Sequence, residues 1–184
     1  MKYLGRDRET GMTLIELVCV IAIVATVATF AARGASAAMN AARTSNGVAS
    51  LFAALTRARS FAATAGVDVV MCPSVDGTSC TTGFHWEKGW IAFPATNAGS
   101  NRTADEPVLL RQEELPKKVH LVTTAGRTRV RFQPSGGNAG SNITFTFCDG
   151  RGPSAAAAYA MANNGSLHST PTEPPNVAAA CASN

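Results

Sequence analysis

The sequence predicts an α+β protein in which a long N-terminal hydrophobic helix, first transmembrane and then a stalk, packs on a C-terminal head of antiparallel β-sheet. Three observations predict this class. An almost wholly apolar run lies close to the N-terminus, no proline occurs before residue 60, and the remainder consists of short apolar runs separated by turn residues.

The composition fits one modest domain with an appendage. Of the 184 residues, 46% are apolar but only 7% are aromatic, so alanine supplies much of the apolar fraction. The formal net charge is +4 and the isoelectric point is near 9.0. This mildly basic balance is, by itself, weak support for a nucleic-acid partner.

The apolar run, MTLIELVCVIAIVATVATFAA, begins at Met12. It matches the ~20 residues that a helix needs to cross a bilayer. The basic residues Lys2, Arg6 and Arg8 precede it. Because basic flanks favour retention in the cytoplasm, we expect a single span with the rest of the chain outside.

Glu16 is the one charge inside this run. A carboxylate within a membrane segment costs ~2.5–3.5 kcal/mol on insertion scales, so it usually has a partner. An ordinary secretory signal cut near residues 35–37 would leave Glu16 unexplained. A simpler alternative is that its side chain only reaches the membrane interface.

The string GMTLIEL, residues 11–17, resembles the processing site of type IV pilins and pseudopilins. In that superfamily a prepilin peptidase cuts after the glycine and methylates the new N-terminal amine, which assigns Gly11 and Met12 here. The superfamily usually has Phe where this chain has Met12, which is still large and apolar. The resemblance implies a leader, 1–11, a transmembrane assembly helix, 12–33, an amphipathic continuation, 34–66, and a β-rich head with a tail, 67–184.

The same resemblance implies partners and a location. The partners are other pilins or pseudopilins, the prepilin peptidase and the bacterial inner membrane, with the head in the periplasm. A cleaved chain would carry an α-amine that is largely cationic at neutral pH. Because an amine and a carboxylate are each costly when unpaired in hydrocarbon, we assign Glu16 to assembly, paired with the amine of a neighbouring subunit.

The helix is expected to continue for roughly 50 residues, because Val48, Leu51, Phe52 and Leu55 form one apolar stripe and Gly66 is a plausible stop. Beyond it, apolar runs and alternation predict strands, with a hairpin turn at 88–89. These strands are expected near 67–72, 90–93, 108–110, 119–122, 127–132, 143–147 and 155–162. The end of the chain, 170–184, is rich in Pro, Ala and Asn and is expected to be irregular.

Four of the five cysteines, Cys72, Cys80, Cys148 and Cys181, lie beyond the membrane run. An even number suggests two disulfides and an oxidising compartment. Turn residues between the first two favour Cys72–Cys80, which leaves Cys148–Cys181, although four cysteines allow three pairings. Zinc is the alternative, but there is no CxxC pair and the histidines are scattered, so we expect neither metal nor cofactor.

The head resembles the GspH/FimT family, which comprises minor pseudopilins of type II secretion systems and minor pilins of type IV pili. The motifs that carry this resemblance are RAR at 57–59, VMCPS at 70–74, WEKGW at 86–90 and FQPSG at 132–136. The resemblance covers nearly the whole chain up to Cys148. The basic head and the two disulfides favour the pilus, with the secretion pseudopilin as the alternative.

Some FimT proteins bind DNA during natural transformation, through a G-R-x-R motif close to the C-terminus. The corresponding stretch here, 163–168, has no arginine, and GRTR occurs upstream at 126–129. Arg127, Arg129 and Arg131 alternate along a predicted strand with a spacing of roughly 6.6–6.8 Å, similar to that of DNA phosphates.

Three further cations, Lys117, Lys118 and Arg151, are expected to extend this double-stranded DNA interface. The alternative is a solvated strand face whose arginines pair with Glu113 and Glu114 on a neighbouring strand. No G-x-S-x-G, Walker loop or paired metal motif occurs, so the sequence predicts no enzyme.

Overall fold

The computed structural model describes residues 11–96, 99, 101–138, 140 and 142–182. Residues 1–10 of the expected leader lie outside this described part. In chain order the elements are α1 (Leu14–Ala65), β1 (Asp68–Pro73), β2 (Trp90–Ala95), β3 (Leu110–Gln112), β4 (Val119–Thr123), β5 (Val130–Phe132), β6 (Ile143–Asp149), β7 (Ala157–Met161), β8 (Leu167–Thr170) and α2 (Pro174–Cys181). A short 3₁₀ turn, Pro153–Ala155, precedes β7.

The chain divides into two compact units, Met1–Ala38 and Met39–Asn184. In the described part of the first unit, the residues are helical from Leu14 onward and the apolar side chains are exposed. The second unit, which we call the head, contains all of the strands described above.

Helix α1 ends where the sequence predicts. Gly66 has φ +68, and its N–H donates to the Ala62 carbonyl at 3.0 Å. Glycine is the residue that adopts this left-handed conformation without a steric penalty, which makes it a common helix stop.

The head contains two four-stranded antiparallel sheets rather than one. The first has the order β3-β2-β1-β5 and the second β4-β6-β7-β8. Strand β5 follows β4 in sequence but pairs with β1, placing Arg131 opposite Val70. The α+β class, with a long helix and antiparallel sheets, is therefore confirmed.

The main core lies between α1 and the two sheets. The predicted stripe supplies Leu51 and Leu55, both buried, while Val48 and Phe52 are half-buried against the same cluster. The largest side chains facing them are aromatic, and Trp86 meets Phe145 edge-on with centroids 5.4 Å apart. Burial of this apolar surface is the main favourable contribution to folding of the head.

Several local predictions are wrong. The strand expected over 127–132 begins only at Val130, because residues 125–126 form a turn. Trp86 is not in a strand, although its N–H donates to the Leu121 carbonyl at 2.8 Å. The strand expected at 108–110 lies at Leu110–Gln112. Residues expected to form an irregular tail contain helix α2, and β8 was not expected.

Candidate functional site

The N-terminal site begins with a helix cap at Thr13. The backbone N–H of Glu16 donates to Thr13 Oγ1 at 3.3 Å, and the N–H of Leu17 donates to the Thr13 carbonyl at 3.2 Å. A Thr followed three residues later by Glu is the capping-box spacing, a signal that our reading of the sequence missed. The cap fixes the start of α1 two residues after Met12.

Glu16 therefore lies in the first turn of α1. A carboxylate there is favoured by the unpaired N–H groups of the helix N-terminus. Within the described residues no cation lies at ion-pair distance from it. The structure thus places Gly11, Met12 and Glu16 within one short segment and leaves the Glu16 carboxylate available.

The apolar side chains that follow Glu16 are exposed on all sides of the helix. Ile23 is 63% exposed and Phe30 is 74% exposed. Within the described chain α1 is the one helix long and apolar enough to cross a membrane. Apolar surface of this extent must be covered by lipid or by other chains. Cys19 is exposed on this segment and is not in a disulfide.

The head cysteines form the disulfides Cys72–Cys80 and Cys148–Cys181. The first closes a loop organised by Asp76, whose carboxylate accepts the N–H groups of Thr78 at 2.7 Å and of Ser79 at 2.8 Å. The hydrogen bond from the Ser79 hydroxyl, with those N–H groups, holds the pKa of Asp76 well below its usual range.

The second disulfide joins α2 to the inner strand β6. Ala180 of α2 is buried against Val122 and Cys148 in a small apolar cluster. The end of the described chain is thereby held on the second sheet by both a covalent bond and packing.

The three arginines of the candidate DNA interface do not share one free face. Arg127 lies in the turn before β5, is exposed, and has no hydrogen bond or ion pair from its side chain to the described residues. Arg129 is half-buried, donates to Thr128 Oγ1 at 2.9 Å and also to Asn101. Burial lowers the pKa of Arg129.

Arg131 is committed within the head. Its guanidinium forms an ion pair with Asp68 on the neighbouring strand β1 at 2.9 Å, and it also donates to the Gly99 carbonyl. The alternative expectation paired these arginines with Glu113 and Glu114, but the acid that Arg131 contacts on a neighbouring strand is Asp68. Glu114 instead binds Lys88 at 2.6 Å, and Glu113 lies 4.0 Å from Arg111.

The other three cations lie at the opposite end of β4. Lys117 and Lys118 precede Val119, which pairs with Asp149, whereas Arg127 follows the end where Thr123 pairs with Phe145. The structure does not bring Lys117, Lys118 and Arg151 together with the arginine cluster. The two groups are about 14 Å apart, because β4 lies between them and its five residues span four steps of ~3.4 Å.

Arg151 is also committed to a structural contact. Its guanidinium donates three hydrogen bonds to the buried Asp149 carboxylate, the shortest at 2.7 Å. Thr44 of α1 donates to the same carboxylate at 2.5 Å. The Arg151 hydrogen bonds, joined by that of Thr44, lower the pKa of Asp149 to about 2. This network ties α1 to the end of β6.

Other candidate chemistry is equally structural. His85 Nδ1 lies 2.9 Å from Glu87 Oε1, and Glu87 Oε2 accepts the N–H of Leu121 at 3.4 Å. Across the described ranges no three His, Cys, Asp or Glu side chains are grouped as metal ligands would be. Residues 163–165, in the stretch that corresponds to the DNA motif of FimT proteins, form the turn between β7 and β8.

The family model "Type II transport protein GspH" matches residues 47–165, and the prokaryotic N-terminal methylation motif matches residues 6–32. The chain belongs to the GspH family. GspH proteins are structural subunits, so this chain is a minor pilin or pseudopilin and not an enzyme. The methylation motif is the substrate of a prepilin peptidase, and pilins of this kind assemble with other pilins as membrane-anchored pilus or pseudopilus subunits.

Two solved structures illustrate the likeness of this GspH protein to known folds. The type IV minor pilin FimU of Pseudomonas aeruginosa PAO1 superposes with a TM-score of 0.56 at 16% identity, covering 70% of this chain and 88% of FimU. The minor pseudopilin EpsH of the Vibrio cholerae type 2 secretion system has a TM-score of 0.49 at 15% identity, covering 70% and 96%. A search of curated proteins finds no match in sequence.

Proposed function

We propose that this GspH protein is a minor pilin of a type IV pilus. In this proposal residues 1–11 are removed, residues 12–33 cross the bacterial inner membrane once, residues 34–66 continue the helix, and residues 67–184 form the β-rich, periplasmic part of the head. The observation that carries it is an apolar, uncovered helix whose one carboxylate lies in the first turn and within the processing motif.

The proposed assembly step is a charge pairing between subunits. Cleavage after Gly11 makes the amine of Met12 the new N-terminus, two residues before α1 begins. Glu16 is exposed and has no ion-pair partner within the described part of its own chain. Either charge would be costly in hydrocarbon if it were unpaired. The Met12 amine of one chain therefore pairs with the Glu16 carboxylate of its neighbour, and this pairing fixes the register between subunits.

The test compares Glu16→Gln and Glu16→Asp with the unaltered chain in cells. Glu16→Gln is expected to be cleaved and inserted but absent from sheared filaments, and Glu16→Asp is expected to restore part of the incorporation. N-terminal sequencing of the membrane fraction controls for cleavage, and Cys19→Ser is the matched control on the same helix. Normal incorporation of Glu16→Gln would contradict the proposal.

The choice of pilus over secretion system is supported by the net positive charge of the chain and by the two disulfides of its head. The alternative is a GspH-like minor pseudopilin of a type II secretion system. A deletion strain scored in parallel for twitching motility, DNA uptake and exoprotein secretion separates the two. Loss of twitching with normal secretion is the expected result, and the reverse would assign the chain to secretion.

Binding of double-stranded DNA is a second candidate function. The observation that favours it is the exposed, uncommitted guanidinium of Arg127 beside half-buried Arg129. Because Arg131 and Arg151 are neutralised by acids, about two phosphates would be contacted here. The logarithm of the affinity would then fall with that of the salt concentration with a slope of about −2.

A gel shift with the detergent-solubilised full chain tests this candidate. Arg127→Gln is expected to weaken binding to any duplex sequence and to reduce the salt slope by about one. Lys118→Gln, at the opposite end of β4, is the matched control and is expected to have a smaller effect. No shift with the unaltered chain would exclude duplex binding by this protein.

A further inference from the structure

The head contains a cavity of about 460 Å³ with one charged side chain in its wall. It lies between the last turns of α1 and two loops, 133–138 and 162–166. Arg59 of α1 is the charged residue, and no carboxylate lines the cavity. Within the described residues, the Arg59 guanidinium has neither a hydrogen bond nor an ion pair.

Arg59 is exposed, and the end of its side chain lies close to two glycine turns. Gly136 has φ +80 and Gly165 has φ +77, the left-handed region that favours glycine. A Cβ atom at Gly165 would lie 2.7 Å from the Gly136 carbonyl oxygen and 3.3 Å from Arg59 Nε. One at Gly136 would also lie 3.3 Å from Arg59 Nε. The absence of side chains at these positions is what lets the guanidinium lie against both turns.

The two turns are themselves joined by a backbone hydrogen bond, in which the N–H of Asn138 donates to the Asn163 carbonyl at 3.0 Å. The second turn is closed by its own hydrogen bond, from the N–H of Ala162 to the Ser166 carbonyl at 2.9 Å. The cavity wall is therefore formed before any ligand arrives, which lowers the entropy lost on binding.

The donors that remain indicate which anion fits. The N–H groups of Gly136 and Gly165 already donate to the carbonyls of Gln133 and Ala162. Apart from hydroxyls such as those of Thr56, Ser60 and Ser135, the remaining donor in the lining is the charged guanidinium of Arg59. A phosphate usually collects several charged or backbone donors, whereas one planar guanidinium matches the two oxygens of a carboxylate. Phe52 and Leu55 of α1, together with Leu167, give the cavity an apolar lining that suits a hydrocarbon stem.

We propose that this cavity binds a carboxylate carried on an apolar stem, supplied by an acidic side chain or chain terminus of another filament subunit. The identity of the occupant rests on the proposed function, whereas the chemistry of the cavity does not. Arg59 would then be a docking residue of the head, separate from the contact that Glu16 makes at the helix N-terminus.

The first experiment uses butyrate as the probe. The full chain is labelled at arginine with ¹⁵N, solubilised in detergent and titrated with butyrate or inorganic phosphate while the Arg59 Nε–H signal is followed. Arg57 is the matched control, because it is exposed on the same helix and uncommitted within the described residues, but borders a different groove. The signals are assigned with Arg59→Lys and Arg57→Lys.

Butyrate is expected to shift the Arg59 signal in a saturable way and to leave Arg57 unmoved. Equal shifts of both arginines, a shift with phosphate but not butyrate, or no shift at all would overturn the carboxylate site. This result is independent of assembly, so it is distinguishable from a failure of the Glu16 test.

A second experiment identifies the source of the carboxylate in cells. A photo-crosslinking residue replaces Thr56 at the cavity, or Arg57 as the control, and the crosslinked peptides of sheared filaments are sequenced. Crosslinks from position 56 to a subunit segment with an acidic residue or a chain terminus support the proposal. Crosslinks to lipid, or identical products from both positions, would overturn a subunit as the occupant.

Discussion

The two parts of helix α1 contain leucines in opposite environments. Leu17, in the first unit, is 50% exposed, whereas Leu51, in the head, is 0% exposed. In the head the apolar residues form one stripe that covers a core, and the other side of the helix is polar or small. Before Ala38 they surround the helix, so no single packed face could bury them. Periodicity, rather than apolar content, therefore decides which part of this helix belongs to a globular core.

The largest effect is expected from a substitution at the processing site, which lies in the first unit. Gly11→Val is expected to block cleavage, because a branched side chain replaces the residue after which the peptidase cuts. The chain would then remain at its precursor mass and be absent from filaments, as judged by mass spectrometry of membranes and sheared pili. Gly34→Ala is the control, since no atom lies within 4 Å of its added methyl group. Cleavage of Gly11→Val at the normal site would refute the assignment.

Loss of the longer disulfide should affect only the head. Replacing Cys148 and Cys181 by serine removes a crosslink over a sequence separation of 33 and is expected to lower the free energy of unfolding by about 3.7 kcal/mol. The pair Cys72 and Cys80, with a separation of 8, is the comparison and should cost about 2.5 kcal/mol. Urea unfolding followed by the fluorescence of the two buried tryptophans measures both. A larger loss for the shorter loop would contradict the loop-length argument.

The same substitution at two positions of α1 tests the comparison directly. Leu51→Ala is expected to destabilise the head by about 3 kcal/mol, because it leaves a cavity in a close-packed core. Leu17→Ala should leave the unfolding midpoint of the head unchanged, because this side chain contacts no part of the core. The same tryptophan-monitored urea titration is the measurement. Equal effects of the two variants would show that the units do not unfold separately.

The smallest expected effect depends on pH. The pKa of Asp149 in the folded chain is about 2, below its ordinary value of 3.8. A lowered pKa stabilises the folded state above the unfolded value, and this contribution is lost as the pH falls from about 4 to about 2. The stability difference between the unaltered chain and Asp149→Asn should therefore narrow by on the order of 2 kcal/mol over that range. A difference that is constant with pH would mean that the Arg151 contact does not act through charge.

Much of the fold could be predicted from local patterns. Leu51 and Leu55 follow the helical period, Gly66 is a stop of known geometry, and Ile143, Phe145 and Phe147 alternate as a half-buried strand does. Helix α2 was missed because Pro174 and Pro175 resemble loop residues, yet proline is well tolerated in the first turn of a helix. Strand β8 was missed because it is an edge strand with largely polar, exposed residues.

The candidate sites also differ in how far they could be predicted from local sequence. The segment from Gly11 to Glu16 could be read from sequence because all of its parts lie within six residues. The pairing of Arg131 with Asp68 spans 63 residues, and no local pattern indicates that β5 crosses to the other sheet. The Arg59 cavity combines one helix with two distant turns, so only the assembled head brings its parts together.

Each sheet of the head carries one disulfide, and in both cases the bonded strand, β1 or β6, is an inner one. A newly made chain among reducing thiols can form neither bond, so its terminal helix is held by noncovalent packing alone. The two disulfides of the head can therefore form only where thiols are oxidised. In a strain with a defective thiol oxidase, the head would be less stable and more sensitive to proteases, whereas the N-terminal part of α1 would be unaffected.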